Sequence, residues 1–553
     1  MRYSTYLNEE MNKITLLFLL LICTASLFLS LFRFGSVPQC FNADEAAFGY
    51  NAYSILKTGK DEYGSLLPLR LKSFGDYKLP LYTYGSIPFI ALFGLTETGT
   101  RAPSVTMAFF LPIAVFLLAR ELFKKDTPAL LSALLVSTSL GLHLISRHAH
   151  EAYLTVFLIT LSSYFFLRFF RLKDLQSAFG FLLSLSLALL SYQSTRLFAV
   201  FFFISGVIAA VSSRRSPVSS RATSRGIYER FLGIFFLLLI AFASIDFVYK
   251  PARVNNLVFW NTAGFTLRIN ELRGKGGSRI FYNKLTVGAY VLAERYVSHL
   301  SPQFLAMRGD TNNRFGYAGM PPMTLVEYAL AIVGLVFLFI KKIKDRWFIA
   351  GLLLVSPLTS SLSWLEPSIT RLLFFFIPTL ILAAFGFYEL INSLKKTIWL
   401  TFVIILLAFS IECLLLFYSW NFYLNEYTKK TEVTRAWECG YKELGMYIKE
   451  NYNRFDRFYI SRANGQSYIF MLFYLAYPPE KYQPQANLSG PDEYGFGQVE
   501  KFDKFVFSFP QKIVGTNEVV IGAPKDFDNK LFNIDKVKKI NINGVDRFWI
   551  YEP

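Results

Sequence analysis

Long stretches without a single charged residue dictate what this chain can fold into. The first, Ile14 to Phe32, holds 19 uncharged residues, enough for a helix to cross a hydrocarbon core of roughly 30 Å. Ten more of similar quality follow, at 102–119, 127–146, 152–167, 176–192, 197–212, 231–248, 323–340, 347–362, 372–388 and 397–420. In lipid only a helix satisfies each backbone N–H and C=O within its own segment. The expected fold class is therefore a polytopic α-helical membrane protein with about 11 transmembrane helices. Charged residues make up only 17% of the 553 and Phe alone occurs 58 times, which excludes an ordinary soluble globule. The first run is too long for a signal-peptide core and no A-x-A-like site follows, so it reads as an uncleaved span.

The net charge of +18 would also suit a nucleic-acid binder, but its distribution argues otherwise. Basic residues cluster in alternate short loops: Lys124 and Lys125; Arg168, Arg171 and Lys173; Arg214, Arg215, Arg221, Arg225 and Arg230; Lys341, Lys342, Lys344 and Arg346; Lys395 and Lys396. Such loops face the cytoplasm. One further apolar stretch, LPLYTYGSIPFIALFGL at 79–95, decides the parity. If it spans, the later basic loops turn outward. If it lies at the interface or re-enters, all five clusters and the N-terminus are cytoplasmic. Pro80, Gly85 and Pro88 make it a poor spanning helix, and the second reading follows.

The expected organisation is a transmembrane domain over 1–420 and an extracytoplasmic α/β domain over 421–553. The outer side receives a first loop at 35–101 with interfacial helices, tight loops near 147–151, 193–196 and 363–371, and a large loop at 249–322. In the tail, RFYIS (457–461), KFVFSF (504–509), EVVIGA (518–523) and DRFWIYE (546–552) read as strands, and 436–451 as helical. Cys23 and Cys413 sit in apolar spans. Cys40 and Cys439 both face outward in this topology, where a disulfide is geometrically allowed, and no zinc-type spacing occurs.

On the outer face, FNADEAAFGYNAYSILKTGKDEYG (41–64) sets Asp44 and Glu45 side by side just beyond the first span. The loop continues to SFGDYKLPLY, with Asp76 and Lys78. Isolated arginines mark helix ends: Arg101, Arg147 in SRHAHE, Arg196 in SYQSTR and Arg371 in SITR. Charges close to hydrocarbon pair with one another or mark functional sites. Carboxylates beside such cations suit transfer from a lipid-borne phosphate: the cations hold the departing phosphate and a carboxylate takes the proton of the attacking group. The plainer alternatives are a helix start capped by Asn42 or Asp44, an interfacial Lys78 and arginines that merely anchor the interface.

The ordered set DEAAFGYNAYSILKTG, GDYKLPLYTYGSIPFIALFG and TETGTRAPS resembles the membrane-embedded GT-C-type glycosyltransferases. Within them it is most similar to the family 39 group, which includes the protein O-mannosyltransferases and the lipid A aminoarabinose transferase. The likeness runs over about the first 200 residues. It implies an inverting transfer of a sugar from a polyprenyl-phosphate donor to a protein, envelope glycan or lipid acceptor, outside the cytoplasmic membrane. Carried over by position, Asp44 is the expected base, Glu45 shapes the site, Asp76 is the second acidic element and Lys78 binds the donor phosphate. Tyr77 intervenes where relatives commonly set the acid directly before the lysine. Arg147, Arg196 and Arg371 are candidates for the rest of the phosphate clamp, and His148, His150, Tyr192 and Gln193 for other substrate contacts. No cofactor is expected, and an adjacent DE rather than a D-x-D weighs against an obligatory divalent metal.

Competing readings are a polysaccharide polymerase or ligase acting on polyprenyl-linked substrates, and a lipid-linked sugar flippase or transporter. Neither an internal repeat nor a matched pair of broken helices supports a transporter. RGKGGSR (273–279) lacks P-loop spacing, and RGDTNNR (308–314) is weak ground for adhesion. The segment 294–322 reads better as a cover over the site. His143, His148 and His150 do not share a helix face, and Asp246 and Glu412 are expected to pair within the bundle.

Overall fold

The computed structural model describes residues 11–213, 221–249, 258–363, 367–394, 398–490, 497, 499–511, 515–528 and 532–553. Up to residue 249 the described residues form ten helices: α1 (Lys13–Leu31), α2 (Ala43–Thr58), α3 (Leu81–Phe93), α4 (Glu97–Phe123), α5 (Asp126–Thr138), α6 (Leu140–Ser146), α7 (Glu151–Leu172), α8 (Leu175–Leu189), α9 (Thr195–Ser213) and α10 (Arg221–Tyr249). Helices Ala263–Gly274, Lys284–Leu300, Leu325–Ile340, Arg346–Ser361, Phe376–Leu394 and Ile398–Asn421 follow. Ten of the eleven apolar runs thus lie largely on one helix each among the described residues, and 127–146 is divided between α5 and α6. Among the described residues seven are long and apolar enough to cross a membrane, or eight if α5 and α6, bent by 57°, count as one span. The stretch 79–95 supplies α3, with 13 residues and Pro88 inside it. At about 1.5 Å per residue it is about 20 Å long, short of the hydrocarbon thickness.

Helices approach closely where side chains are absent. A Cβ on Gly334 would lie 1.8 Å from the Leu382 carbonyl oxygen, and one on Gly386 would lie 2.3 Å from that of Leu330. The Leu325–Ile340 and Phe376–Leu394 helices therefore cross backbone to backbone, as small residues permit in membranes. The N-terminal end of α1 and several basic loops share one end of the bundle. There Thr15 donates to Asp126 (3.1 Å), Arg171 and Lys124 pair with Glu121, and Lys341 pairs with Glu389. Arg214, Arg215, Lys395 and Lys396, and the side chains of Arg221 and Arg225, lie outside the described residues.

The other end carries α2, α3 and a hairpin of β1 (Leu71–Ser73) and β2 (Asp76–Lys78). Against it packs a six-stranded sheet from the tail: β3 (Arg457–Ile460), β4 (Lys501–Phe502), β5 (Phe505–Val506), β6 (Glu518–Gly522), β7 (Val537–Ile542) and β8 (Val545–Tyr551), in the order β4-β5-β3-β6-β8-β7. Among the described residues only the β3–β5 and β3–β6 pairs are parallel. The four strand-like runs each contain a strand; β4 and β7 have no match among them, β4 being two residues long and β7, VKKINI, having charged residues that break the apolar alternation.

One face of the sheet packs within the tail, around Val520, Phe527 and Phe532; the other face shares its core with the first loop. Phe458, Ile460, Val519, Ile521, Phe548 and Ile550 share one buried cluster with Phe41, Ala46, Ala47 and Tyr50 from the first loop. A Cβ on Gly49 of α2 would meet Phe473 at 2.6 Å and Thr100 of α4 at 2.4 Å. A disulfide between Cys40 and Cys439, 399 residues apart, closes the same seam.

Candidate active site

Asn42 starts α2. Its side chain accepts from Glu45 N while Glu45 returns a bond to Asn42 N, a complete capping box. Asp44 and Glu45 thereby become the second and third helical residues and face different ways. Glu45 is fully buried. Its Oε1 accepts from Arg101 Nε (2.8 Å) and Ala149 N (2.8 Å), and its Oε2 from Arg101 Nη2 (2.8 Å), Asn42 N (3.2 Å) and Asn42 Nδ2 (3.3 Å). Expected with Asp44 among the catalytic residues for its part in shaping the site, Glu45 here takes five hydrogen bonds and fastens α2 to α4 and to the loop before α7.

Asp44 is half exposed. Lys78 Nζ lies 2.7 Å from its Oδ1 and Arg314 Nη1 lies 3.7 Å from its Oδ2. Lys78 is held at the end of β2, opposite Leu71, with Nζ 4.5 Å from the Phe48 ring centroid and 5.3 Å from that of Phe74. The tight turn between the strands uses Phe74 (φ 53°) and Gly75 (φ 83°). Asp76 pairs with Ser73 along the backbone; its side chain lies outside the described residues.

Arg314 comes from the segment 294–322. Its backbone carbonyl accepts from Tyr427 Oη (3.2 Å), itself bonded to Trp437 Nε1 (3.0 Å). Its guanidinium donates to Ala436 O (3.0 Å) and lies 3.7 Å from Glu438 Oε2. Glu438 accepts from Ala43 N (2.8 Å), and burial pushes its carboxyl up, opposed by Arg314. Asp310, the acid of the Arg-Gly-Asp triplet, is buried and accepts from Asn312 N and Ile369 N, both at 2.8 Å. That tripeptide is an internal anchor for the loop carrying Arg314.

The other arginines expected in a phosphate clamp lie on other partners within the protein. All five N–H groups of the fully buried Arg147 go to the carbonyls of Leu29, Ser30, Phe32 and Val37, closing the exposed end of α1. Arg196 makes a two-pronged pair with Asp246 (2.5 and 2.6 Å), which Arg70 also reaches at 2.5 Å, and it donates to Gln193. Asp246 thus pairs as expected, and Glu412 accepts from Thr324 (2.7 Å). Arg371 donates to Ser363 and lines a separate pocket with Tyr192, Ser194, Thr155 and Thr370.

His148 is buried edge-on to Trp437, ring centroids 4.5 Å apart. Burial, helped by Arg101, His150, Arg147 and Arg314, pulls it well below the ordinary histidine range, so it is neutral. His150 caps α7 by accepting from Ala152 N (3.0 Å), and its ring meets those of Tyr192 and Phe315. Among the described residues no three His, Cys, Asp or Glu side chains converge as a metal-binding group.

The structure thus joins Asp44 and Lys78 and adds Arg314 and Glu438, which sequence reasoning passed over. Arg314 lies in the segment read as a cover; Glu438 carries no signal beyond its neighbour Cys439.

A family model described as dolichyl-phosphate-mannose-protein mannosyltransferase matches residues 80–244, beginning just after Lys78. ArnT from Cupriavidus metallidurans matches in fold in its apo state, at a TM-score of 0.51 and 11% identity, covering 97% of both chains. Its structure bound to undecaprenyl phosphate gives 0.50 and 10%, covering 98% of both. The archaeal oligosaccharyltransferase AglB from Archaeoglobus fulgidus, in complex with an inhibitory peptide and a dolichol-phosphate, gives 0.50 and 11%, over 84% of this chain and 64% of that one. The chain spans a little under two thirds of AglB. No curated protein matches the sequence. The chain thus shares the fold of these GT-C membrane glycosyltransferases over nearly its whole length, and residues 80–244 match the mannosyltransferase family model.

Proposed function

We propose that the protein transfers a sugar from a polyprenyl-phosphate donor to an acceptor on the extracytoplasmic face of the cytoplasmic membrane, with inversion at the anomeric carbon. The observation that carries this reading is a half-exposed Asp44 set between Lys78 and Arg314. Before substrate binds, the two cations neutralise the acid. An arriving phosphate supplies Lys78 with a second anion and loosens its hold on Asp44. Asp44 then takes the proton of the acceptor hydroxyl or amine. The acceptor forms its bond to the anomeric carbon as the bond to the phosphate oxygen breaks, and the departing lipid phosphate carries the electron pair. Lys78, with Arg314 beside it, offsets the developing charge.

Orientation rests on charge and redox chemistry. The basic end of the bundle suits the cytoplasm, and a disulfide at the opposite end suits an oxidising compartment. The lipid phosphates named with the AglB and ArnT structures support a polyprenyl-phosphate donor. The acceptor remains a protein, an envelope glycan or a lipid head group, and no divalent metal enters this scheme.

The test is purified protein in lipid nanodiscs with a panel of undecaprenyl-phosphate-linked hexoses and aminoarabinose. One donor is expected to be consumed. Asp44→Asn, which keeps volume and removes the base, is expected to abolish consumption while still binding undecaprenyl phosphate, and Lys78→Ala to weaken that binding. Full turnover by Asp44→Asn would sink the assignment. Transbilayer movement of the intact donor without cleavage would point to a flippase instead.

A further inference from the structure

We infer that Glu438, from the C-terminal region, is a positioning residue for this reaction, holding Arg314 opposite Asp44; the inference rests on the proposed transfer. Four observations converge on it. The carboxylate Oε2 does two things at once: it accepts from Ala43 N, the first helical residue of α2, and it lies 3.7 Å from Arg314. The helix carrying Asp44 and the arginine facing Asp44 are thus referenced to one oxygen atom.

The backbone at Glu438 is fixed from outside. Trp437 before it is fully buried, and Cys439 after it is bonded to Cys40, two residues ahead of the Asn42 cap. The residue has φ 52°, the left-handed region that a glutamate rarely occupies. Such a conformation persists only where the surroundings over-determine it. Space for the carboxylate is also specific: a Cβ on Gly465 would stand 2.2 Å from Glu438 Oε1.

The charge balance gives the reason for an acid here. Arg314 has two carboxylates within 3.7 Å, Asp44 and Glu438, and one fixed carbonyl, Ala436 O. With Glu438 charged, Arg314 is shared and Asp44 keeps its basicity. With Glu438 neutral, the guanidinium has Asp44 as its one carboxylate and draws onto it, which makes Asp44 a poorer base. Glu438 touches neither donor nor acceptor in this account; it acts through Arg314.

The decisive variant is Glu438→Gln in the full chain, in nanodiscs, with the donor consumed in the panel and undecaprenyl phosphate binding measured separately. The amide oxygen still accepts from Ala43 N, so a purely structural cap is preserved. The expected result is a kcat lowered about tenfold to a hundredfold, with undecaprenyl phosphate affinity within about twofold of wild type. Combined with Arg314→Gln, the loss is expected to be no greater than for Arg314→Gln alone, since both act through one contact. Wild-type kcat in Glu438→Gln, or losses that simply add, would overturn the inference. If Glu438→Gln does not fold, Glu438→Asp replaces it: the shorter carboxylate keeps the charge but cannot reach both partners, so lowered kcat supports the role and wild-type kcat overturns it. An inactive Asp44→Asn beside a normal Glu438→Gln rejects the positioning role alone, activity in both also removes Asp44 as the base, and no donor consumed by the wild type rejects the transfer reading itself.

Discussion

Glu45→Gln isolates what the second acid of the pair contributes. Glu45 and Arg101 are 0% and 2% exposed. Their two-pronged contact is made of hydrogen bonds at 2.8 Å, and the remaining acceptor positions on Glu45 are filled by Ala149 N and Asn42. An amide cannot reproduce that set. Whichever oxygen becomes NH2 then confronts at least two N–H donors, one of them from a buried guanidinium left without its counter-charge. Removing one partner of a buried ion pair costs about 3–5 kcal/mol, or roughly a hundredfold to several thousandfold in the folding equilibrium.

The assay is SDS-driven unfolding in mixed micelles, followed by tryptophan fluorescence, with Arg101→Met and the double variant completing a cycle. The expected coupling is at least about 2 kcal/mol, because Arg101→Met removes the orphaned charge that makes Glu45→Gln costly. Glu45→Gln within about 0.5 kcal/mol of wild type, or a coupling no larger than that of an exposed pair, about 1 kcal/mol, would refute the reasoning. Per folded molecule, Glu45→Gln is expected to lose far less turnover than Asp44→Asn.

Burial pushes Glu62 up to about 8 from an ordinary 4.5, so the folded state keeps a proton that the unfolded chain releases. Its stabilising contribution is full below about pH 4.5 and lost as pH rises through about 8; Glu62→Gln is expected to flatten the stability profile over that window, and an unchanged slope in unfolding measured at several pH values would count against it. Arg147→Met is expected to cut the folded yield sharply while the protein that survives binds undecaprenyl phosphate as wild type does; a selective loss of that binding would restore Arg147 to the phosphate site. Gly334→Val places carbon where the Leu382 carbonyl already stands and is expected to destabilise by about 1–3 kcal/mol or more, read in the same SDS titration; a neutral result would show that the two helices can separate freely.

How much of this could be read in advance depends on how local the physics is. A run of 19 uncharged residues leaves little besides a helix, and all the runs but the broken 127–146 lie largely on one. The short α3 was legible from its prolines and its length. Asp44 and Lys78 are 34 residues apart, but ordered motifs tied them together before geometry did. The arginines were ambiguous for a physical reason. A lone cation near a helix end looks the same in sequence whether it holds carbonyls, as Arg147 does, an acid, as Arg196 does, or faces a catalytic carboxylate, as Arg314 does. Glu438 lies 395 residues from the backbone group it caps, and its role exists only once the sheet region has docked on α2. The boundary at 421 had the same difficulty: apolar pattern marks where spans end but not that Phe41 and Tyr50 complete the core under the sheet.

The capping box at Asn42 has one more consequence, concerning the order of the two letters D and E. Successive residues on a helix point about 100° apart, so the second and third positions look into different surroundings and their side chains are not interchangeable. The third position needs a chain long enough to reach back to Asn42 N and across to Arg101 at once; the second needs one short enough to stand clear beside Lys78. A chain reading E-D here would have the same composition, charge and hydropathy. It would nevertheless put a carboxylate too short at the anchor and one too long at the mouth, misplacing both with no atom gained or lost.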